Sequence, residues 1–463
     1  MRVALYTADW VLPVTAPPVR DGAILIDGNG RIAQVGPAAA MQFGDDVERI
    51  DLGAAILLPG LINVHTHPEL AAMRGLLEDL PFRDWIPTLR RSRDGAALDE
   101  DDYAAAARWT CAEALAGGVT ALGATEDSGA ALDALTEAGM RGTVYREVFG
   151  PAPAQADAAL AALRAKVEQM RERETDLVHV GVSPHAPYTV SDTLFSAVAG
   201  FARAEALPVA VHTAEAAVEA QLVTTGTGPF ADGLRRRGID TPVRAPSTVA
   251  LLDRTGILAT QPLLIHCVHV TASDIARIAD TGSRVAHCPV ANARLGHGIA
   301  PVIEMLERGA AVAVGSDSVA SNNRIDMLEE ARIAQLMQRA RLGSPDALSP
   351  DRLLQLLTID GARALDIDAH TGSIEAGKDA DLCAIRITAP HTRPVHDAAA
   401  TLMLSAYGAD VMLTMVRGRT LYRDGHWLTL DPAALSARLE RSAVRLRAAR
   451  DARPPLQSPQ PTR

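Results

Sequence analysis

A regular alternation of short apolar runs and alanine-rich helical stretches occupies residues 59–366 and restricts the fold more than any other feature. The strand-like runs are residues 61–65, 121–124, 144–148, 179–183, 209–212, 263–266, 285–287 and 311–314. The helical stretches include residues 101–116, 154–173, 191–204, 272–280 and 324–341. Eight strands that alternate with helices predict an α/β fold, a parallel (β/α)8 barrel of the TIM type. A doubly wound open sheet is the alternative, but it predicts no ring of side chains converging on one point.

Short strands and turns flank this region on both sides, at residues 1–58 and 367–430. The tetrapeptide Asp27-Gly28-Asn29-Gly30 lies between two apolar runs and is typical of a β-hairpin. We predict that the two flanks together form one small β-sandwich beside the barrel. Residues 431–463 follow, with a basic surface helix over 431–450 and a tail, 454–463, whose four prolines favour disorder.

The composition excludes several classes of protein. The formal net charge is -11 and no long basic run precedes the C-terminus, which argues against nucleic-acid binding. No segment approaches the ~18 uninterrupted apolar residues of a membrane span, and the N-terminus lacks the pattern of a secretory signal. None of the four cysteines lies in a Cys-x-x-Cys pair, so we expect reduced, buried thiols and a cytoplasmic protein.

Residues that bind metals stand at the ends of four predicted strands. His65 and His67 end the first strand, and side chains two apart on a strand point to the same side. His212 ends the fifth strand, His269 follows the sixth and Asp317 follows the eighth. Taken singly, each histidine has a structural interpretation, and Asp317 could cap the next helix. All parallel strands of a barrel end on the same face. The presence of these histidines and Asp317 together at the strand ends therefore favours a metal site on that face.

Several of these segments resemble the amidohydrolase superfamily. The supporting segments are residues 58–67, His212-Thr213-Ala214-Glu215, Cys267-Val268-His269 and Gly315-Ser316-Asp317-Ser318. Within the superfamily the chain is most similar to 5-methylthioadenosine/S-adenosylhomocysteine deaminases and aminodeoxyfutalosine deaminases. The segments carrying that similarity are RGLLEDLP at 74–81, PHAPY at 184–188 and HCPVAN at 287–292, with 145–150 and 227–234 pointing to the second group.

The resemblance implies that His65, His67, His212 and Asp317 hold one divalent metal ion. Three imidazoles and a carboxylate suit zinc, with iron as the alternative. An ion bound in this way can lower the pKa of a water molecule from 15.7 to about 7. Asp317 is also expected to accept a hydrogen bond from the attacking water, and His269 is expected to orient it.

Glu215 is the expected general acid and base, three residues beyond His212. If the chain turns into a helix there, its carboxylate folds back beside the metal and transfers a proton from water to a ring nitrogen. The alternative is a solvated residue that complements the dipole of the helix. For Glu219, further along that helix, we favour the solvated interpretation.

Substrate contacts follow from the same resemblance. His185 is expected to face the substrate, and Trp85 is a second expected contact. Asp84, beside Trp85, stands where the resembled deaminases carry an acidic residue for ribose hydroxyls. Asn292 is a further expected contact. Aspartate is one methylene shorter than the glutamate expected at position 84, so the pocket differs from the common pattern there.

Two other positions also depart from the resembled deaminases. Ala291 replaces a common serine, and His297 stands where a small residue is usual. The stretch 222–247 is long for a loop after a barrel strand. It is compatible with a lid over the active site and, nearly as well, with a tolerated surface insertion.

We therefore predict a metal-dependent deaminase that releases ammonia from an adenine-type nucleoside derivative. The alternatives are deamination or dechlorination of another aminated heterocycle, such as a triazine, guanine or a pterin, and a non-catalytic metal-binding barrel. The expected partner is a small-molecule substrate. A homo-oligomer is compatible with the basic helix at 434–450, although a solvated face is the interpretation that we favour.

Overall fold

The computed structural model describes residues 2–452, so the predicted disordered tail at 454–463 lies outside the described residues. Five strands precede the central region. They are β1 (Ala4–Val11), β2 (Val19–Ile26), β3 (Ile32–Pro37), β4 (Glu48–Asp51) and β5 (Ala55–Pro59).

Eight parallel strands form the centre, and all eight sequence-predicted strands are present within two or three residues of their expected bounds. They are β6 (Leu61–Thr66), β7 (Val119–Glu126), β8 (Arg141–Val148), β9 (Val178–Pro184), β10 (Ala210–Thr213), β11 (Leu263–His266), β12 (Arg284–His287) and β13 (Ala311–Val314). They pair as two four-stranded sheets, β6-β7-β8-β9 and β10-β11-β12-β13. This arrangement fits a TIM-type barrel, although the strand pairing by itself does not close one.

Contacts at both junctions bring the two sheets together. At one junction a parallel bridge pairs Val182 with Val209, and the Val182 N–H donates to the Pro208 carbonyl at 2.9 Å. At the other, the Asp317 N–H donates to the His65 carbonyl at 3.0 Å. The carboxyl ends of β6 and β13 therefore lie side by side.

Helices connect and follow these strands. They are α1 (Phe82–Ala96), α2 (Glu100–Ala116), α3 (Ala131–Ala138), α4 (Ala156–Arg171), α5 (Asp192–Ala204), α6 (Ala217–Thr225), α7 (Pro229–Arg235), α8 (Thr248–Arg254), α9 (Ala272–Thr281), α10 (Pro289–Arg294), α11 (Val302–Glu307), α12 (Met327–Leu342), α13 (Pro350–Leu357), α14 (Ile359–Ala364), α15 (Ala398–Leu404) and α16 (Pro432–Asp451). Side-chain caps fix several starts, because Ser191 and Thr271 accept hydrogen bonds from the first turns of α5 and α9. None of these helices is long and apolar enough to cross a membrane.

Both flanks contribute to one nine-stranded sheet. The C-terminal flank adds β14 (Leu382–Arg386), β15 (Val411–Val416), β16 (Arg419–Arg423) and β17 (His426–Trp427). The strand order is β17-β16-β15-β14-β5-β1-β2-β3, with β4 paired to β1. The pairing does not confirm the predicted β-sandwich, because the nine strands belong to a single hydrogen-bonded sheet.

The C-terminal helix α16 packs on the protein's own α1 and α2, so the favoured interpretation of a solvated face is wrong for one side of it. Leu446 is fully buried against the apolar residues near α1. Arg438 Nε and Ser442 Oγ each donate to Asp102 Oδ1 at 3.0 Å, and Arg445 also pairs with Asp102. Asp102 is buried in the first turn of α2 and attracts these donors.

A buried ion pair joins the flank to the central strands. Arg141 on β8 donates from Nε to Asp381 and from an η nitrogen to Asp379, both at 2.6 Å. The Arg141 side chain is 4% exposed and that of Asp381 is 0% exposed. Removing one partner of such a group leaves a charge without compensation in a medium of low polarity.

We expect Arg141→Ala to lower the free energy of unfolding by about 3–5 kcal/mol, because two buried carboxylates lose their cation. Urea denaturation followed by circular dichroism measures the change. Arg386→Ala is the matched control, since Arg386 and Asp424 are also 2.6 Å apart but about half exposed. The control should stay within about 1 kcal/mol of the parent chain. Equal effects of the two substitutions would contradict this account of the junction.

Candidate active site

His65, His67, His212 and Asp317 meet at the carboxyl ends of β6, β10 and β13, and we call these four residues the donor cluster. The Nε2 atoms of His67 and His212 are 3.3 Å apart. Asp317 Oδ1 lies 3.4 Å from His65 Nε2 and 3.7 Å from His67 Nε2. Ligands about 2.0–2.1 Å from a tetrahedral ion are separated by about 3.3–3.4 Å. The spacing of the donor cluster therefore suits one small cation.

Contacts at Nδ1 orient the rings of two histidines in the donor cluster. His65 Nδ1 lies 3.2 Å from Thr125 Oγ1, and His212 Nδ1 lies 3.1 Å from the His185 carbonyl oxygen, to which it can donate. This leaves both Nε2 lone pairs directed into the donor cluster. His65 Nε2 is buried and has no aligned hydrogen-bond partner within residues 2–452. A buried polar atom without a partner is costly, and a bound cation would give His65 Nε2 the partner that it lacks.

The protonation states of the donor cluster also fit a cation. Burial lowers the pKa of His65 and of His67 to about 4 and that of His212 to about 3. Burial opposes ionisation of Asp317, but the surrounding imidazoles, His65 first, outweigh it and hold its pKa far below the usual value. At neutral pH the donor cluster consists of three neutral imidazoles and one carboxylate, which are the metal-binding forms.

A tight turn after β10 presents Glu215 beside the donor cluster. Ala214 has a left-handed φ of 51°, and Glu219 accepts hydrogen bonds from the N–H groups of Ala214 and Glu215 at 2.8 and 3.0 Å. The solvated interpretation of Glu219 is therefore wrong, because this side chain is fully buried and holds the turn. Burial raises the pKa of Glu219 to about 8, although the two N–H donors oppose the shift.

Two histidine rings flank the Glu215 carboxylate. Glu215 Oε1 lies 3.5 Å from His266 Nε2 and 3.2 Å from His297 Nε2, and the Glu215 side chain is 5% exposed. Burial disfavours the charged form, but the neighbouring His266 and His297 rings outweigh it, so the pKa of Glu215 lies below its usual value. The carboxylate is thus ionised at neutral pH and can accept a proton.

His266, not His269, reaches the site from the sixth strand. His266 is buried at the end of β11, and one of its ring nitrogens lies within 4.8 Å of ring nitrogens of His65 and His212. His266 and Cys267 both have left-handed φ values, 75° and 47°, which turn the chain so that His269 is exposed and away from the donor cluster. The sequence pointed to His269 because strand register alone does not reveal this turn.

Asn292 lies behind His266 and does not face the cavity as expected of a substrate contact. Its Oδ1 is 3.0 Å from His266 Nδ1, and its side chain is buried. This contact fixes the orientation of the His266 ring, with Nε2 toward Glu215. Asn292 therefore acts on the site through His266.

A cavity of about 530 Å³ opens onto the donor cluster. It is lined by Trp85 and His185, as expected, together with Glu69, Phe82, Arg93, Asp94, Tyr103, Asp127, Glu147, Phe149, Tyr188, Leu295 and others. Asp84 does not line the cavity, because its position on α1 turns it toward Arg83, 3.6 Å away, where it is partly exposed. Asp94, nearly three turns later on α1, supplies a carboxylate to the cavity instead.

His185 and Glu147 form a polar edge of the cavity. His185 Nδ1 lies 2.8 Å from Thr189 Oγ1, and its Nε2 lies 3.8 Å from Glu147 Oε1. Glu147 is buried, and its Oε1 has no hydrogen-bond partner in the described part of the chain. Burial raises the pKa of Glu147 well above the usual value, and Asp127 and Glu69 add to the shift. Sequence reasoning missed Glu147, which lies on β8 among residues with no ligand pattern.

A cluster of three ionisable residues, Arg93, Asp127 and Glu69, forms another part of the cavity wall. Arg93 on α1 pairs with Asp127 at 2.6 Å and with Glu69 at 3.3 Å. Burial raises the pKa of Glu69 to about 8, and Asp127 adds to the shift. The guanidinium group also lies over the ring of Tyr103, at 5.3 Å from its centroid. These contacts tie α1 to the ends of β6 and β7.

The stretch 222–247 contains helix as well as loop. It includes the end of α6 and the whole of α7, and Phe230 on α7 stacks on Tyr188 with ring centroids 4.4 Å apart. Phe230 also contacts Phe82 edge to face, at 6.1 Å. The segment therefore supports two aromatic residues that line the cavity.

The sequence profile of the Amidohydrolase family matches residues 56–421. The chain belongs to this family. A 5-methylthioadenosine/S-adenosylhomocysteine deaminase from Moorella thermoacetica is 32% identical over 93% of this chain and 96% of its own length. A protein of the same name from Nitratidesulfovibrio vulgaris is 33% identical, covering 89% of this chain and 90% of its own.

Solved structures agree with this assignment. An adenosine deaminase from Xanthomonas campestris with bound zinc superposes with a TM-score of 0.85 at 28% identity, covering 96% of this chain and 99% of its own. An atrazine chlorohydrolase from Arthrobacter aurescens, complexed with zinc, superposes with a TM-score of 0.82 at 25% identity. The match covers 95% of this chain and 100% of the chlorohydrolase chain.

The predicted relationship to the amidohydrolases is confirmed, and the chain is a hydrolytic enzyme of the aminohydrolase type. The alternative of a non-catalytic metal-binding barrel is not supported. Zinc in both solved structures, together with the histidine and aspartate groups here, supports a divalent metal ion in this protein.

We expect Glu219→Ala to lower the free energy of unfolding by about 2 kcal/mol, because two buried N–H groups lose their acceptor. Urea denaturation at pH 7 measures the loss. Glu205→Ala is the control, since Glu205 is 46% exposed and pairs only with a surface arginine at 3.2 Å. A Glu219→Ala protein as stable as this control would show that the turn does not depend on Glu219.

Proposed function

We propose that this enzyme is a metal-dependent deaminase that releases ammonia from an adenine-type nucleoside derivative. The substrate class is that of 5-methylthioadenosine, S-adenosylhomocysteine and aminodeoxyfutalosine. The observation that carries the proposal is the Glu215 carboxylate, which lines the same cavity as His67, His212 and Asp317 of the donor cluster. The names of the relatives at about 32% identity support the substrate class.

The donor cluster would hold the metal, with zinc favoured over iron because zinc is bound in two similar structures. A divalent ion in such a site lowers the pKa of a water molecule to about 7 and so makes a nucleophile available at neutral pH. The remaining chemistry belongs to the side chains of this chain.

Glu215 transfers the protons of the reaction. Its carboxylate accepts a proton from the attacking water and delivers it to the ring nitrogen next to the carbon that carries the amino group. The water oxygen forms a bond to that carbon, and the remaining proton of the added hydroxyl then passes to the amino nitrogen. The carbon–nitrogen bond breaks, a carbonyl forms, and ammonia leaves. His266 takes the role that the sequence assigned to His269 and orients the attacking oxygen. Its ring faces Glu215 at 3.5 Å.

The cavity suits the size and chemistry of a nucleoside. Its volume of about 530 Å³ lies within the range of small-molecule sites, about 300–1,000 Å³. We assign the heterocycle to the space between Trp85 and the edge formed by His185 and Glu147. Asp94 takes the role expected of Asp84, because a carboxylate accepts two hydrogen bonds from neighbouring ribose hydroxyls.

The architecture proposed here is a closed (β/α)8 barrel over residues 59–366. The Val182–Val209 bridge and the Asp317–His65 hydrogen bond support closure at the two sheet junctions. The composite flank domain comprises 1–58 and 367–430, and 431–463 form the C-terminal helix and tail. We also propose a cytoplasmic location, which is supported by four buried free cysteines.

A second candidate is hydrolysis of another aminated heterocycle. The TM-score of 0.82 to an atrazine chlorohydrolase at 25% identity favours keeping this candidate. The same carboxylate and cavity would serve a triazine, guanine or a pterin, because each presents an electrophilic ring carbon next to a ring nitrogen.

Glu215→Gln should lower kcat for ammonia release by about 100- to 10,000-fold, because an amide cannot accept the proton. A coupled ammonia assay measures the loss. The metal content of the variant should equal that of the parent chain, since Glu215 is not in the donor cluster. Retention of most of the activity by Glu215→Gln would exclude Glu215 as the acid and base.

A panel of 5-methylthioadenosine, S-adenosylhomocysteine, aminodeoxyfutalosine, guanine and atrazine separates the two candidates. We expect the highest kcat/KM on one of the three 6-aminopurine nucleosides. Turnover of guanine or atrazine without turnover of any 6-aminopurine would overturn the proposed substrate class.

A further inference from the structure

His297 occupies a rigid loop that directs its ring toward Glu215. Gly296 and Gly298, on either side of it, have left-handed φ values of 71° and 107°, which residues with a Cβ rarely adopt. The His297 N–H donates to the Asn292 carbonyl at 2.9 Å, which closes the loop onto the end of α10. The backbone of this loop therefore sets the direction of the His297 side chain.

The His297 ring is confined on two sides. Its Nε2 lies 3.2 Å from Glu215 Oε1, and its ring packs edge to face on Phe82 with centroids 4.5 Å apart. The His297 side chain is 3% exposed, and its Nε2 makes no aligned hydrogen bond within the described chain. A small rotation of either group would align that bond.

The two histidines approach the same oxygen of Glu215. The closest contacts of His266 and His297 are both with Oε1, at 3.5 and 3.2 Å. A carboxylate held through one oxygen has its other oxygen in a fixed direction. His297 itself is not among the residues that line the cavity. Its contact is therefore with the acid and base and not with the substrate.

We propose that His297 is a positioning residue that holds Glu215 through Oε1, so that Oε2 carries the transferred proton. This inference rests on the proposed role of Glu215. Without His297 the buried carboxylate keeps a single histidine contact and gains rotational freedom. Misplacement of a reacting group by 1 Å can lower the rate by about 100-fold, so the loss should appear in kcat.

His297→Ala and His297→Gln test the role directly. We expect Ala to lower kcat by about 10- to 100-fold while KM changes by less than about threefold, because substrate contacts are intact. Gln carries an amide N–H at a similar reach, so it should restore kcat to within about threefold of the parent. His179→Ala is the control, since His179 is an exposed histidine at the opposite end of the strands, on β9.

The double variant His297→Ala/Glu215→Gln tests whether the effect passes through Glu215. If it does, the double variant is no slower than Glu215→Gln alone. Additive losses would overturn the proposal, as would an unchanged kcat in His297→Ala. Equal losses in the Ala and Gln variants would also overturn it, because a specific N–H contact predicts rescue.

Crystal structures of the two His297 variants separate this inference from the proposed function. We expect the Glu215 carboxylate to keep its position in His297→Gln and to move or occupy two positions in His297→Ala. That result holds even if no compound of the panel is turned over by the parent chain, in which case only the proposed function fails. An unmoved Glu215 in His297→Ala would overturn the positioning role.

Discussion

The convergence of three neutral imidazoles and one carboxylate at the ends of parallel strands is the constraint on which the rest of the site depends. His65, His212 and Asp317 are buried and His67 is partly buried, and a buried polar atom is costly unless something satisfies it. Asp317 and the histidines partly satisfy one another, but His65 Nε2 has no aligned partner in the described chain. A divalent cation bound among these residues would satisfy all four donors at once.

Glu215, the proposed acid and base, is built on the same strand end as one member of the donor cluster. Glu215 follows His212 by three residues, so the turn that ends β10 determines the distance between carboxylate and donors. Glu219 holds that turn by accepting two backbone hydrogen bonds, and the rings of His266 and His297 face the carboxylate. Stability of the turn and reactivity of Glu215 are thus linked through one short segment.

The sequence was sufficient for the central strands and for the donor cluster. Buried parallel strands appear as short apolar runs, and a ligand at the end of each run needs only the strand period to be placed. The exchange of His269 for His266 has a different origin, since it depends on two left-handed residues after β11 that no local pattern signals. The sequence pointed to Asp84 and not to Asp94 as the acidic residue of the cavity, because tertiary packing sets the direction in which α1 crosses the cavity. Glu219 was misjudged because a glutamate on a helix is usually solvated, whereas here its carboxylate accepts hydrogen bonds from two N–H groups of the preceding turn.

The most direct test of this account is anomalous X-ray diffraction at the zinc absorption edge from crystals of the purified protein, with a second data set at the iron edge. The account predicts one strong peak about 2.0–2.2 Å from His65, His67 and His212 nitrogens and from an Asp317 oxygen. A metal bound elsewhere, or these four side chains well ordered around no ion after zinc supplementation, would contradict it.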